Sequence, residues 1–182
     1  MKKKSGDRTA KSAAKSAAKS AGGDGRDRPY TVVIDTREQR PFPIAGAIRG
    51  TLRSGDYSLR GFEDRVSLER KSKTDLFSTV GAGRDRFLRE LERLSSYRYA
   101  AIVIEADIPS IRQAPPAFSK IHPNSILGSL IRWSIRYGVH VFFASTRDDA
   151  WALTEKILRM FWEEETNGHR IDSTTTNNER AA

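Results

Sequence analysis

The chain has 182 residues, 37% apolar and 30% charged, with a formal net charge of +9 and an isoelectric point near 10.0. That length fits one domain with a sizeable core rather than two, and the basic excess points to a polyanionic partner, nucleic acid or an anionic membrane surface. No apolar run is long enough to span a bilayer or to form a secretory h-region, so a membrane-spanning protein is excluded and an intracellular one expected.

Residues 1 to 28 read as a disordered basic tail. Nine lysines and arginines against three aspartates carry +6 of the +9, and Lys11 to Ser20 repeats Lys-Ser-Ala-Ala with no large apolar residue. Such a segment cannot offset its own ordering entropy. It reads either as a DNA tether acting through counterion release or as a solubilising leader.

Order is expected to begin near Tyr30. Thr31 to Ile34 is β-branched and apolar, a buried strand with Asp35 at its C-terminal end. Pro41, Pro43 and Gly46 mark a turn-rich stretch, followed by short strands over 48–53 and 56–60 and a further strand from Arg65 to Lys71. A short helix starts near Ser72. Phe87, Leu91 and Leu94 recur at helical spacing, which predicts an amphipathic helix over 83–97 with Asp85, Arg86, Arg89, Glu90 and Arg93 on its solvent face.

Ala100 to Ile104 is a second buried strand ending at Glu105, and prolines 109, 115 and 116 make 106–122 irregular. The helix over 123–137 is apolar nearly all round (Ile126, Leu127, Leu130, Ile131, Trp133, Ile135), so it is expected to be buried or shared with a partner. Val139 to Ala144 is a third buried strand. Thr146 as N-cap with Asp149 at N3 opens a helix to about Glu165, with Trp151, Thr154, Leu158 and Phe161 facing the core. Residues 166–182 are polar and read as a disordered tail, which leaves 29–165 as the folded domain. Apolar strands alternating with amphipathic helices imply an α/β domain with a mainly buried sheet.

The chemistry concentrates on one strand. Alternation places Val66, Leu68 and Arg70 on one face and Ser67, Glu69 and Lys71 on the other. Glu69 and Lys71 then lie roughly 6–7 Å apart. The carboxylate can hold a metal; the amine can orient or deprotonate a water, or neutralise charge in the transition state. Asp35 ends a buried strand, where sites in α/β sheets tend to lie, and Asp56 follows Gly55, whose backbone can approach a ligand closely. Three converging carboxylates repel unless a divalent cation compensates them. Cysteine is absent and only three histidines exist, so such a cation is expected to be oxygen-ligated, Mg²⁺ or Mn²⁺.

Each residue also has a structural reading. Asp35 can cap a turn, Gly55-Asp56 can be turn chemistry, and Glu69 and Lys71 can be an exposed pair of little value. Arg37, Glu38 and Arg70 can form an ion-pair network, and Ser72 to Asp75 matches a capping box.

Taken together, Val33-Ile34-Asp35-Thr36-Arg37-Glu38, Gly55-Asp56-Tyr57 and Glu69-Arg70-Lys71-Ser72-Lys73-Thr74-Asp75 closely resemble the nuclease signature of the XPF family: V-x-D-x-R-E, then G-D, then E-R-K-x-x-x-D. The match covers about residues 30 to 162, and Asn124 to Gly128 is similar to the family's later buried helix. The resemblance implies a restriction-endonuclease-like α/β/α core with a central mixed sheet. It also implies Mg²⁺- or Mn²⁺-dependent hydrolysis of phosphodiester bonds in DNA, at flaps, forks or other junctions in repair or recombination.

By motif position, Asp35, Asp56 and Glu69 are the implied metal ligands and Lys71 the residue that positions or activates water. Arg37, Glu38, Arg70 and Asp75 match the supporting positions, and Arg37, Lys73, Arg84 and Arg86 the contacts to DNA. The family's usual helix-hairpin-helix module is expected to be missing, since 17 residues follow Glu165, so a protein carrying that module, or a helicase, is a candidate partner. A homodimer is expected from the apolar helix over 123–137 and the aromatic C-terminal helix. The compartment is then the cytoplasm or nucleoid of a bacterial or phage system, or the nucleus of a eukaryote. A catalytically silent DNA-binding or scaffold subunit is the alternative.

Overall fold

The computed structural model describes residues 28–117 and 119–178, with side chains through residue 167. The first apolar run forms β1 (Val32–Asp35), buried throughout. β2 (Ile48–Gly50) and β3 (Tyr57–Leu59) are shorter than the sequence suggested. β4 (Val66–Ser72) carries the E-R-K block and runs directly into helix α1 (Lys73–Val80). α2 (Arg84–Leu94) follows, then β5 (Tyr99–Glu105), α3 (Ile108–Gln113), α4 (Pro123–Tyr137), β6 (His140–Phe143) and α5 (Arg147–Asn178).

The strands make one mixed sheet in the order β2-β1-β3-β4-β5-β6. β1 pairs parallel with β2 and antiparallel with β3, β3 pairs antiparallel with β4, and β4-β5-β6 are parallel. Parallel neighbours need crossover connections, and the helices supply them. α1, α2 and α4 cover one face, packing Leu76, Phe77, Phe87, Leu91 and Trp133 against Ile102 and Ile104. α5 covers the other, packing Ala150, Leu158 and Phe161 with Tyr57, Leu68 and Val103. The result is the α/β/α sandwich with a central mixed sheet expected from the sequence. Burying each large side chain contributes about 1.5–3 kcal/mol, so both cores stabilise the sheet between them.

Several expectations are corrected. The stretch 106–122 contains α3, where Asp107 caps Ser110 through a 2.7 Å bond and Pro109 lies in the first turn. Proline there forfeits no helical hydrogen bond, so it does not break the helix. α4 is not buried all round: Ile126, Ser129, Leu130 and Trp133 face the core while Ile131 and Ile135 are 62% and 81% exposed. β6 lies at the edge of the sheet and is only partly buried.

α5 buries Thr154, Leu158 and Phe161 as expected, adds Ala150 and Ile157, and leaves Trp151 half-buried. It runs past Glu165, because no proline interrupts the polar sequence that follows. The basic tail lies outside the described residues except Arg28, which pairs with Glu155 of α5 at 2.6 Å. Among the described residues no helix is long and apolar enough to cross a membrane.

Candidate functional site

The sheet brings β1, β3 and β4 side by side, and their ends define the site. Asp35 N–H donates to the Asp56 carbonyl at 2.8 Å, Asp56 N–H donates to the Leu68 carbonyl at 2.8 Å, and Arg70 N–H donates to Asp56 Oδ2 at 2.8 Å. The backbone ladder therefore aims the Asp56 side chain across β4. Gly55 makes this possible. It has φ +76°, and a Cβ there would lie 2.1 Å from Ser67 Oγ, so only glycine lets the loop press flat on β4.

Strand alternation sorts the E-R-K block as expected. Glu69 and Lys71 share the α1/α2 face, joined by a short Lys71 Nζ to Glu69 Oε1 bond, with Nζ 4.6 Å from the Phe87 ring centre. They are not the exposed pair of the structural reading: their side chains are only 6% and 12% exposed. Burial pushes the Glu69 carboxyl up in spite of Lys71. Burial alone would lower the Lys71 ammonium, but Glu69 outweighs it and holds it above the ordinary lysine range. Burial, then Glu69, push Asp56 up to about 9. Of these two carboxylates, one oxygen of each is bonded to protein among the described residues, which leaves Asp56 Oδ1 and Glu69 Oε2 for another partner. A buried and a half-buried carboxylate that resist ionising together, each with a spare oxygen, suit a divalent oxygen-seeking cation.

Asp35 stands differently. Its carboxylate is 1% exposed and accepts four hydrogen bonds: from Arg37 N, Nε and Nη2 at 2.8, 2.7 and 3.2 Å, and from Leu52 N at 2.7 Å. Burial alone would raise its pKa, but those donors hold the carboxyl below its usual range. Among the described residues no three His, Asp or Glu side chains converge on a single ion position. Asp56 and Glu69 lie close enough to interact electrostatically, while the Asp35 carboxylate is held by Arg37 and the Leu52 amide.

Arg70 points to the opposite face. Its guanidinium bonds Glu105 at 2.7 and 3.0 Å and approaches Glu38 at 3.4 Å, over the Phe42 ring. Arg147 bonds the same Glu105 at 2.9 Å, stacks on Phe42 at 4.9 Å and reaches the carbonyls of Arg40 and Pro41. The ion-pair reading thus holds for Glu38 and Arg70, but Arg37 pairs with Asp35. Ser72 caps the helix: its Oγ accepts from Asp75 N–H at 3.1 Å and donates to the Asp75 carboxylate at 2.6 Å, in place of the capping-box bond from the Ser72 backbone N–H.

Of the expected DNA contacts, Arg84 bonds Ser129 Oγ at 3.1 Å and lies over Trp133. That contact ties α2 to α4. The Arg37 guanidinium is held by Asp35 and the Leu52 carbonyl but remains largely exposed. Arg86 is exposed and Lys73 half-buried. Sequence reasoning missed Glu90, Glu105 and Arg147. Glu105 carried a usable signal, an acid ending a buried strand like Asp35; Glu90 looked like an ordinary solvent-face residue.

A family model described as the ERCC4 domain matches residues 34–157. The chain is 33% identical over 109 residues to the 3'-flap repair endonuclease Xpf of Saccharolobus solfataricus, covering 59% of this chain and 44% of that protein. It thus spans less than half the length of that curated relative. The solved structure of XPF from Aeropyrum pernix superposes with a TM-score of 0.58 at 21% identity, covering 71% of this chain and 60% of that one. The same protein in complex with DNA gives 0.59 at 22% identity, covering 74% and 66%. With the motif residues on the strand ends described above and the restriction-endonuclease-like sheet beneath them, the chain belongs to the ERCC4 domain family, the XPF-type nuclease domains.

Proposed function

We propose that the chain is a Mg²⁺- or Mn²⁺-dependent DNA endonuclease acting at branched or junction DNA such as flaps and forks. The observation that carries this reading is the half-buried Asp56 beside the buried Glu69, with Lys71 bonded to Glu69. Asp56 and Glu69 would hold the ion, with waters and substrate phosphate completing its shell, as Mg²⁺ commonly accepts one or two carboxylates. Bound there, the ion would neutralise phosphodiester charge and acidify a water.

The chain's own residues do the rest. Lys71, kept protonated by Glu69, donates to a phosphate oxygen and stabilises developing charge rather than acting as a base in this arrangement. Asp35 orients Arg37, whose exposed guanidinium meets the DNA backbone. Lys73 and Arg86 add positive charge nearby. Branched DNA as substrate, and a place in repair, are supported by the flap-repair relative.

A homodimer is proposed through α4 and the β6 edge. Ile131 and Ile135 flank an apolar groove of about 420 Å³ lined also by Ile108, Leu130, Val141 and Phe143. A helix-hairpin-helix or helicase partner would supply further DNA contacts.

The test is cleavage of labelled flap, fork, four-way junction and duplex DNA with Mg²⁺, Mn²⁺ or EDTA. Metal-dependent cutting should fall at least about 100-fold in Glu69→Gln and in Lys71→Ala. DNA binding without cutting under every condition would favour the scaffold reading.

A further inference from the structure

Asp56 is aimed by the loop that carries it, and that loop is gripped from outside the sheet. On α2, Phe87, Leu91 and Leu94 enter the core. Glu90 and Arg93, three residues apart and hence on one side of the helix, reach the loop instead. Glu90 Oε1 accepts from Gly55 N at 3.2 Å, and Arg93 Nε donates to Ser54 Oγ at 2.9 Å. Ser54 is 1% exposed, and its carbonyl accepts from Ser67 Oγ at 2.7 Å. The backbone of Asp56 is fixed on both sides by Leu68 and Asp35.

The loop thus has β4 beneath it, where a Gly55 Cβ would collide with Ser67 Oγ and approach the Leu68 carbonyl to 3.1 Å. It has α2 above it. Without Glu90, the Gly55 N–H has no protein acceptor among the described residues, and the Ser54–Gly55 peptide is held only through the Ser54 carbonyl and Ser67 Oγ. We propose that Glu90, seconded by Arg93, is a positioning residue that fixes the Ser54–Gly55 peptide and thereby the seat of the loop that aims the Asp56 carboxylate. This rests on the reading of Asp56 as part of the reaction centre. The interaction requires an acceptor at the side-chain terminus, which glutamine also provides and alanine does not.

The experiment compares Glu90→Ala, Glu90→Gln and Arg93→Ala with the wild type. It measures Mn²⁺-dependent single-turnover cleavage of a labelled fork, fork affinity, and amide hydrogen exchange at Gly55. Glu90→Ala should cut about 10–100-fold more slowly with fork affinity within about twofold, as expected when support of a metal ligand is removed. Gly55 exchange should rise about tenfold or more in the same variant. Glu90→Gln should stay within about threefold on both readouts, and Arg93→Ala should show the same changes at smaller size.

Equal loss in the Ala and Gln variants, or wild-type behaviour of Glu90→Ala, overturns the proposal. If the wild type cuts no DNA, the nuclease reading falls while Gly55 exchange still decides the clamp: unchanged protection in Glu90→Ala sinks it. Should Glu90→Ala fail to fold, Glu90→Asp withdraws the acceptor by one methylene on the same helix and carries the same expectations.

Discussion

Asp56 illustrates how a side chain can be costly to the fold and useful to the site. Its carboxyl is pushed up from the ordinary 3.8 to about 9, first by burial and then by Glu69. A folded pKa above the unfolded one means that the folded state holds the proton more tightly. The contribution to stability is then complete below about pH 4 and fades as pH rises toward about 9. In EDTA the thermal midpoint should therefore decline between about pH 5 and pH 9, and Asp56→Asn should flatten that decline. Added Mg²⁺ should recover the midpoint at the alkaline end, since an ion bound by the native state stabilises it. An identical pH profile for wild type and Asp56→Asn would remove the basis for this account. One residue earlier, Gly55→Ala should disable cleavage and cost several kcal/mol, because the φ of +76° and the 2.1 Å approach to Ser67 Oγ leave no room to adjust.

At the scale of elements, the join between β4 and α1 separates structure from chemistry within the motif. Ser72 and Asp75 bond each other reciprocally, which is the work of a helix cap. Asp75→Ala should lower stability by about 0.5–2 kcal/mol while changing the cleavage rate only a few-fold. A loss of cutting as deep as that of Glu69→Gln, with stability unchanged, would place Asp75 in the chemistry instead. Arg70 shows the same division. Its side chain locks β4 to Glu105 of β5, and through Arg147 to α5, while its backbone N–H serves Asp56. Alternation along β4 was legible beforehand because the period of two is local. The partners of Arg70 were not, because Glu105 and Arg147 lie 35 and 77 positions on and meet it only through the sheet.

The whole molecule presents two surfaces with separable predictions. Ile131 and Ile135 stand out of α4 beside the edge strand β6, and a double change to Asp should convert the proposed dimer to a monomer in light scattering with the fold intact. A wild type that is monomeric at micromolar concentration would count against the dimer outright. Removing residues 1 to 27, which spares Arg28 and its pair with Glu155, should weaken DNA binding. Its dependence on salt should flatten too, by a slope of about 0.9 for each phosphate that the tail no longer neutralises. Unchanged affinity would leave the tail as a leader.

The sequence by itself determined the class of fold and displayed the motif whose residues we propose as the reacting groups. Apolar runs, helical periodicity and the order of Asp35, Asp56, Glu69 and Lys71 are properties of short segments, and short-range chemistry reads them directly. The tertiary structure alone decided which of these groups meet. It joined Asp56 to Glu69, tied Asp35 to Arg37, turned Arg84 to Ser129, and brought Glu90 to the Gly55 amide. Those partnerships depend on strand order and on the faces that crossover helices cover. Contacts between distant segments set both, and no local pattern in the chain encodes them.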